Sequence, residues 1–155
     1  MRAIREIRVT PIRNGTVIDH IDCGMALHVL RIIGVNGENV RSTVSVLMHV
    51  PSERTGWKDV VKVEDRELDP SEIYKIALIA PRATINIIRD FNVAEKYQTN
   101  LPEVVRGIVR CPNPNCITNM SEPVEPEFTI ESDDPPLLRC IYCERVMEDI
   151  SDNLV

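Results

Sequence analysis

Four cysteines constrain this chain more than any other feature. Cys111 and Cys116 are separated by four residues, Cys140 and Cys143 by two, and 23 residues lie between the pairs. Two knuckles at this spacing bring four thiolates to one tetrahedral centre, the arrangement of a zinc ribbon. The surrounding chain needs such a centre. From Arg110 it consists of short β-like pieces, EFTI, LLRC and IYCERVME, between proline-rich turns. About fifty residues of this kind bury too little apolar surface to hold a fold unaided.

Three readings of the cysteines fit this spacing. A structural zinc ion uses all four thiolates, leaves no position open for water and adds the folding energy the module lacks. An iron site of rubredoxin type has the same geometry. Disulfides need an oxidising compartment, and the N-terminus MRAIREIR lacks the apolar stretch of an export signal. Zinc fits best, because thiolates are soft ligands and CPNPNC has the turn chemistry that lets backbone amides donate to sulfur. The fifth cysteine, Cys23, lies outside the pattern and reads as a buried free thiol near a helix start.

The preceding hundred or so residues alternate strand and helix patterns. IREIRVTPI (4–12) carries Ile7 and Val9 at period two, a half-buried strand. MALHVLRII (25–33) puts Ala26, Val29, Leu30 and Ile33 on one helical face, with Gly34 as stop signal. RSTVSVLMHV (41–50) and KDVVKVE (58–64) read as antiparallel strands about the turn PSERTGW. Asp69, Pro70 and Glu72 spell a capping box that starts a helix running to Pro81. ATINIIRDFNV (83–93) is rich enough in β-branched residues to be one strand, and AEKYQTNLPEVV after it reads as a linker. The order β-α-β-β-α-β predicts an α+β, ferredoxin-like domain followed by a small β zinc-ribbon, rubredoxin-like domain.

Composition removes several function classes. No apolar run approaches the ~20 residues of a membrane span, so a soluble, cytoplasmic protein with no membrane partner is expected. The β-α-β-β-α-β order also belongs to RNA-recognition modules, but these stack bases on clustered aromatics, and aromatic residues make up 4% of this chain. Charge argues the same way. Lys and Arg balance Asp and Glu through Glu103, 14 against 14, whereas from Val104 onward 4 face 10. Such a module repels a polyanion and suits a protein surface better than nucleic acid. An iron electron carrier remains a further alternative. An enzyme has least support, since neither a nucleophile motif nor paired catalytic carboxylates occur.

The ordered motifs NGTVIDHI, GWKDVVKVE, IAPRATINII, LPE, CPNPNCI and CIYCE resemble those of one family, the regulatory chains of aspartate carbamoyltransferase. The resemblance covers nearly the whole chain. It implies a non-catalytic subunit with a nucleotide-binding allosteric domain, 1–103, and a zinc domain, 104–155, that docks on the catalytic chain. It also implies homodimers through the N-terminal domain, joined to catalytic trimers in a dodecamer of six catalytic and six regulatory chains. The implied effectors are CTP and ATP, and in some members UTP, in feedback control of pyrimidine biosynthesis.

The same resemblance assigns roles residue by residue. Asp19 and His20 belong to the nucleotide site, the first suited to accept from ribose hydroxyls and the second to donate to phosphate. Lys58 and Lys62 share a strand face by their even spacing; Lys62 is matched to ribose and base, Lys96 to the phosphates. Val9, Pro11, Ile12, Val17, Phe91 and Val93 wall the base, with Asn86 on the strand leading to that wall. Cys111, Cys116, Cys140 and Cys143 hold the zinc. Asp22 falls outside the motif and reads as a helix-start cap or a solvated acid, while His28 and His49 read as structural. Two departures touch effector choice: Asn14 stands at an expectedly basic position, and Phe91 where tyrosine is common.

Overall fold

The computed structural model describes residues 11–35, 37, 38, 40–121 and 124–155. In chain order the first sheet's elements are β1 (Gly15–Ile21), α1 (Ala26–Ile32), β2 (Val44–Ser52), β3 (Gly56–Glu64), α2 (Pro70–Ile79), β4 (Thr84–Arg89) and β5 (Asn92–Gln98). The strands lie in the order β2-β3-β1-β4-β5, each pair antiparallel. The first four strands with the two helices make the expected β-α-β-β-α-β arrangement. Ile18, Ile21, Val61, Val63, Ile85 and Ile87 pack against Ala26, Val29, Ile76 and Leu78 of the helices in one apolar core.

The helix N-termini are satisfied by side chains. Asp69 accepts from the Glu72 N–H at 2.9 Å and Glu72 returns to the Asp69 N–H at 3.2 Å, so the capping box forms as read. At α1 the capping group is remote. Asp59 of β3, fully buried, accepts from the N–H groups of Gly24 (2.9 Å), Ala26 (3.1 Å) and His49 (2.8 Å). Asp22, a candidate cap from the sequence, instead pairs with Arg82 at 2.8 Å. Cys23 is exposed rather than buried, with Sγ 3.1 Å from Nδ1 of His49, whose ring stacks on Trp57.

Two expectations about strands are corrected, 83–93 as one strand and the stretch after it as a linker, and a third falls mostly outside the described residues. The strand expected over 4–12 lies mostly outside the described residues, as does Val9, and the first described strand is Gly15–Ile21. Asp19 and His20 lie inside this strand. A bulge hides this: the register with β3 shifts between Ile18 and Ile21, and His20 has φ 56. The buried positions then fall three apart and the period-two signal breaks.

The stretch 83–93 is not one strand but the start of a hairpin, turning at Asp90 (φ 50) and Phe91 (φ 65). Two consecutive positive-φ residues make a tight hairpin turn whose usual signature is Asn-Gly or Asp-Gly, and Asp-Phe does not advertise it. The stretch read as a linker contains most of β5. Every β5 residue is exposed, so it lacks the alternation that marks a half-buried strand.

Gly15 begins β1 at φ 142, and a Cβ there would lie 2.1 Å from the carbonyl oxygen of Val63 on the paired strand. Backbone clash and a glycine-only φ act together, so Gly15→Ala should cost about 3 kcal/mol or more. Chemical denaturation of the variant measures this; unchanged stability would refute the register of β1 on β3.

The second sheet is formed by β6 (Val104–Arg106), β7 (Glu127–Asp133), β8 (Pro136–Cys140) and β9 (Val146–Met147), antiparallel in that order. Val105, Phe128, Leu138 and Met147 supply its small buried core beside the cysteines.

Candidate functional site

The thiolate centre is assembled from two turns. In 111–116 the Cys116 N–H donates to the Asn113 carbonyl at 3.1 Å, and Asn119 Nδ2 donates to the carbonyls of Cys111 (2.9 Å) and Asn113 (2.7 Å). In 140–143 the Glu144 N–H closes onto the Cys140 carbonyl at 2.9 Å, with Glu144 at φ 63. The four Sγ atoms lie within 4.8 Å of one another; Cys111–Cys143 is 3.6 Å and Cys116–Cys140 is 3.7 Å.

Those separations decide between the readings. A tetrahedron with metal–sulfur bonds of ~2.3 Å has sulfur–sulfur edges of roughly 3.8 Å. A disulfide needs ~2.05 Å. The cysteines are therefore free thiols spaced to hold one ion between them, and the disulfide reading falls.

Their surroundings divide the four: burial pushes Cys111 up to about 12 and raises Cys140, whereas Cys143 and Cys116 are lowered. Burial pushes Cys143 up, but the Arg145 N–H, Asn113 and the adjacent thiols outweigh it and bring it down to about 7. Cys116 is lowered too, with burial again opposing and the hydroxyl and N–H of Thr118 prevailing; its hydroxyl is 3.2 Å from the sulfur. Thr118 and Asn119 were not among the expected site residues. They lie just after the second cysteine, where donors to sulfur and to the knuckle carbonyls are needed.

The other candidates collect on the sheet face opposite the helices. Paired positions in neighbouring strands project to the same side, and one cross-strand row runs Ser45, Lys62, Val17, Asn86, Lys96 through β2, β3, β1, β4 and β5. Residues two positions along β1 lie ~7 Å away on the same face. There Asp19 pairs with Thr84, and the Lys58 ammonium is 2.9 Å from Asp19 Oδ1. His20 completes this end, its Nδ1 3.3 Å from the Thr84 hydroxyl. Thr84 was missed because a threonine in a β-branched run carries no separate signal.

At the opposite end the β4–β5 turn leans on the chain before β1. The Phe91 N–H donates to the Arg13 carbonyl at 2.9 Å, and the Asp90 N–H to Asn14 Oδ1 at 3.1 Å. Val93 pairs with Ile88, and Pro11 and Ile12 lead into the Arg13–Asn14 contact. Ile12 and Ile88 are buried, Phe91 and Val93 more than half exposed. Asn14 thus has a structural role in holding the turn.

Electrostatics polarise this face. Burial would raise Asp19, but the Lys58 ammonium and the His20 N–H, 2.7 Å away, hold its carboxyl below the usual range. Burial lowers His20; Asp19 opposes that, and the positive charges of Lys58, Arg54 and Lys96 reinforce it. An end of a sheet with three cations around a neutral imidazole is prepared for an anion.

Known proteins of similar sequence fit both halves. Residues 7–100 match the family model described as aspartate carbamoyltransferase regulatory chain, allosteric domain, and residues 103–151 match that chain's metal binding domain. The aspartate carbamoyltransferase regulatory chain of Methanocella arvoryzae is 56% identical over 157 aligned positions, covering 100% of both chains. That of Methanothrix thermoacetophila is 55% identical over 145 residues, 94% of each chain. That of Methanothermobacter thermautotrophicus is 57% identical over 143 residues, 92% of this chain and 90% of its own. The four-thiolate cluster lies within the metal-binding match, and the polarised sheet face within the allosteric one. With both domains matched in order and relatives aligned from end to end, this chain belongs to the family of aspartate carbamoyltransferase regulatory chains, a non-catalytic partner of the catalytic chain.

Proposed function

We propose that the open face of the first sheet binds a nucleoside triphosphate, CTP or ATP and in some settings UTP, and that binding changes the activity of the catalytic chain. The observation that carries this is the row Lys62–Val17–Asn86–Lys96, with Asp19, His20 and Lys58 beside it. It offers apolar surface, a ribose acceptor and cations on one surface. The base is assigned to the end formed by Pro11, Ile12, Phe91 and Val93, the ribose to Asp19 and Lys62, and the phosphates to His20, Lys58 and Lys96. A titration calorimeter tests it directly: CTP should bind the purified chain with one site per chain, and absence of heat at millimolar CTP would overturn the reading.

Proton linkage gives a sharper check. His20 is neutral near pH 7 because burial and the cations Lys58, Arg54 and Lys96 outweigh Asp19. A bound triphosphate cancels those cations and favours imidazolium, so His20 takes up a proton on binding. Affinity should therefore rise as pH falls from about 8 towards His20's lowered pKa, below the ordinary value of about 6.5. Calorimetry at pH 6.5 in buffers of different ionisation heat should show proton uptake that disappears in His20→Gln. Equal uptake by the variant would remove His20 from the phosphate site.

The second module is assigned one structural zinc and the docking role. Residues 104–155 would seat on catalytic trimers and residues 1–103 would pair regulatory chains, in a dodecamer of six and six in the cytoplasm. Support comes from thiolate spacing suited to tetrahedral zinc and from apolar side chains exposed at the knuckles, Ile117, Met120, Ile141 and Tyr142. Elemental analysis should find about one zinc per chain. Iron in its place, with a coloured protein, would favour the rubredoxin-like alternative.

A further inference from the structure

The seam between the two modules is built around α2. Tyr74 of α2 donates its hydroxyl to the Val104 carbonyl at 3.0 Å, and the Lys75 ammonium donates to the main-chain oxygen of Val155 at 2.8 Å. Beside these contacts a cleft of about 350 Å³ separates Met25, Leu78 and Ile79 from Pro135, Leu137 and Ile150. One side chain reaches across near it with charge on both sides. Arg82, two residues past Ala80 at the end of α2, donates through Nε (3.1 Å) and Nη2 (2.8 Å) to Oδ1 of Asp22, and its Nη1 lies 3.9 Å from Oδ2 of Asp134.

The position of Asp22 gives this bridge its interest. It follows β1 directly and stands two residues beyond His20. The bulge between Ile18 and Ile21 carries Asp19 and His20 and breaks the pairing with β3. Asp134 lies just before β8, the strand that ends on Cys140. The Asp22–Arg82–Asp134 chain therefore spans from the phosphate end of the sheet face to the strand that carries a metal ligand.

We propose that Arg82 is a positioning residue for regulation: it ties the β1 bulge to the β7–β8 turn, so that a ligand on Asp19 and His20 biases the seat of the metal-binding module. This rests on the reading of the open face as the effector site. The physical basis is differential. A ligand that takes the phosphate-end cations draws Lys58 from Asp19 and shifts the bulge, and Asp22 moves with it because it directly follows Ile21, the last position of β1 paired with β3. The apolar walls of the cleft tolerate such a shift, since they do not fill the space between them. Arg82 does not, because its fork is held by Asp22 through two nitrogens.

The test uses the assembled enzyme, with CTP as probe. Arg82→Gln should bind CTP with Kd within about twofold of the parent, retain its metal and assemble with the catalytic chain. The CTP-induced change in activity should shrink about two- to fivefold, the scale of one partly exposed ion pair. Asp134→Asn should shrink it likewise, whereas Arg82→Lys should keep part of it. Lys75→Met, altering a seam contact outside the bridge, should leave it unchanged. A full response in both Arg82→Gln and Asp134→Asn overturns the bridge and leaves the effector face standing. Loss of assembly in Arg82→Gln makes it an assembly residue and overturns the coupling role. A parent chain that fails to bind CTP, or binds it without changing activity, overturns the effector reading and the bridge with it.

Discussion

Replacing Cys140 with alanine is expected to release the metal and end assembly with the catalytic chain, while nucleotide binding survives. Cys140 is fully buried, with its sulfur 3.7 Å from that of Cys116. The module around it has a small core, chiefly Val105, Phe128, Leu138 and Met147. A structural zinc contributes roughly 10–16 kcal/mol of apparent binding energy to such small folds, far more than this core can replace. Losing one of four thiolates opens the centre to water and leaves the rest unable to hold the two turns together. The first sheet keeps its own strands, helices and capping box, so the open face proposed to bind the nucleotide persists. Size exclusion with the catalytic chain, metal analysis and CTP calorimetry read the three consequences. A variant that still co-elutes with catalytic trimers would show that docking does not depend on the metal centre.

The second large effect belongs to Lys62 and Lys96. Both stand in the cross-strand row with Val17 and Asn86, and neither has an ion-pair partner within 4 Å among the described residues. Each is thus available to an incoming anion. Truncating either to alanine should weaken CTP binding by about 1.5–3 kcal/mol, the range for a hydrogen bond to a charged group, or roughly 10- to 150-fold in Kd. Thermal stability should change little, because neither side chain packs in the core. Unchanged affinity in both variants would move the nucleotide off this face. Lys58 should behave differently. It already pairs with Asp19 at 2.9 Å, so Lys58→Ala removes a cation proposed to meet phosphate and also leaves the Asp19 carboxylate without its ion-pair partner.

Much of this was legible in the sequence, for reasons that differ by region. The metal centre was, because a tetrahedral thiolate site demands short, fixed spacings that survive any variation in the β pieces between them. The α2 helix was, because Asp69, Pro70 and Glu72 act locally and need no tertiary context. The bulge was not. His20 at φ 56 interrupts alternation in mid-strand, and nothing in Asp-His-Ile-Asp marks it as pleated. Strand β5 was hidden for the opposite reason, being exposed along its length, so no buried face imprints a period.

Individual partners were less legible still. That Asp59 caps α1 from another strand, or that Asp22 takes Arg82 instead of capping, depends on contacts between residues 33 to 60 positions apart. The even spacing of Lys58 and Lys62 did place both lysines on one side of the strand. Only the register of β1 between β3 and β4 aligns Lys62 with Val17, Asn86 and Lys96.

The most direct test of the whole account is the activity of the catalytic chain measured with and without this chain while CTP is titrated. Regulation through the first sheet and the metal-binding module predicts a saturable change in activity only in the mixture, absent for catalytic trimers alone and shifted by Lys96→Ala to CTP concentrations roughly 10- to 150-fold higher than the parent needs. Activity that ignores CTP in the mixture, although the two chains co-elute, would contradict it.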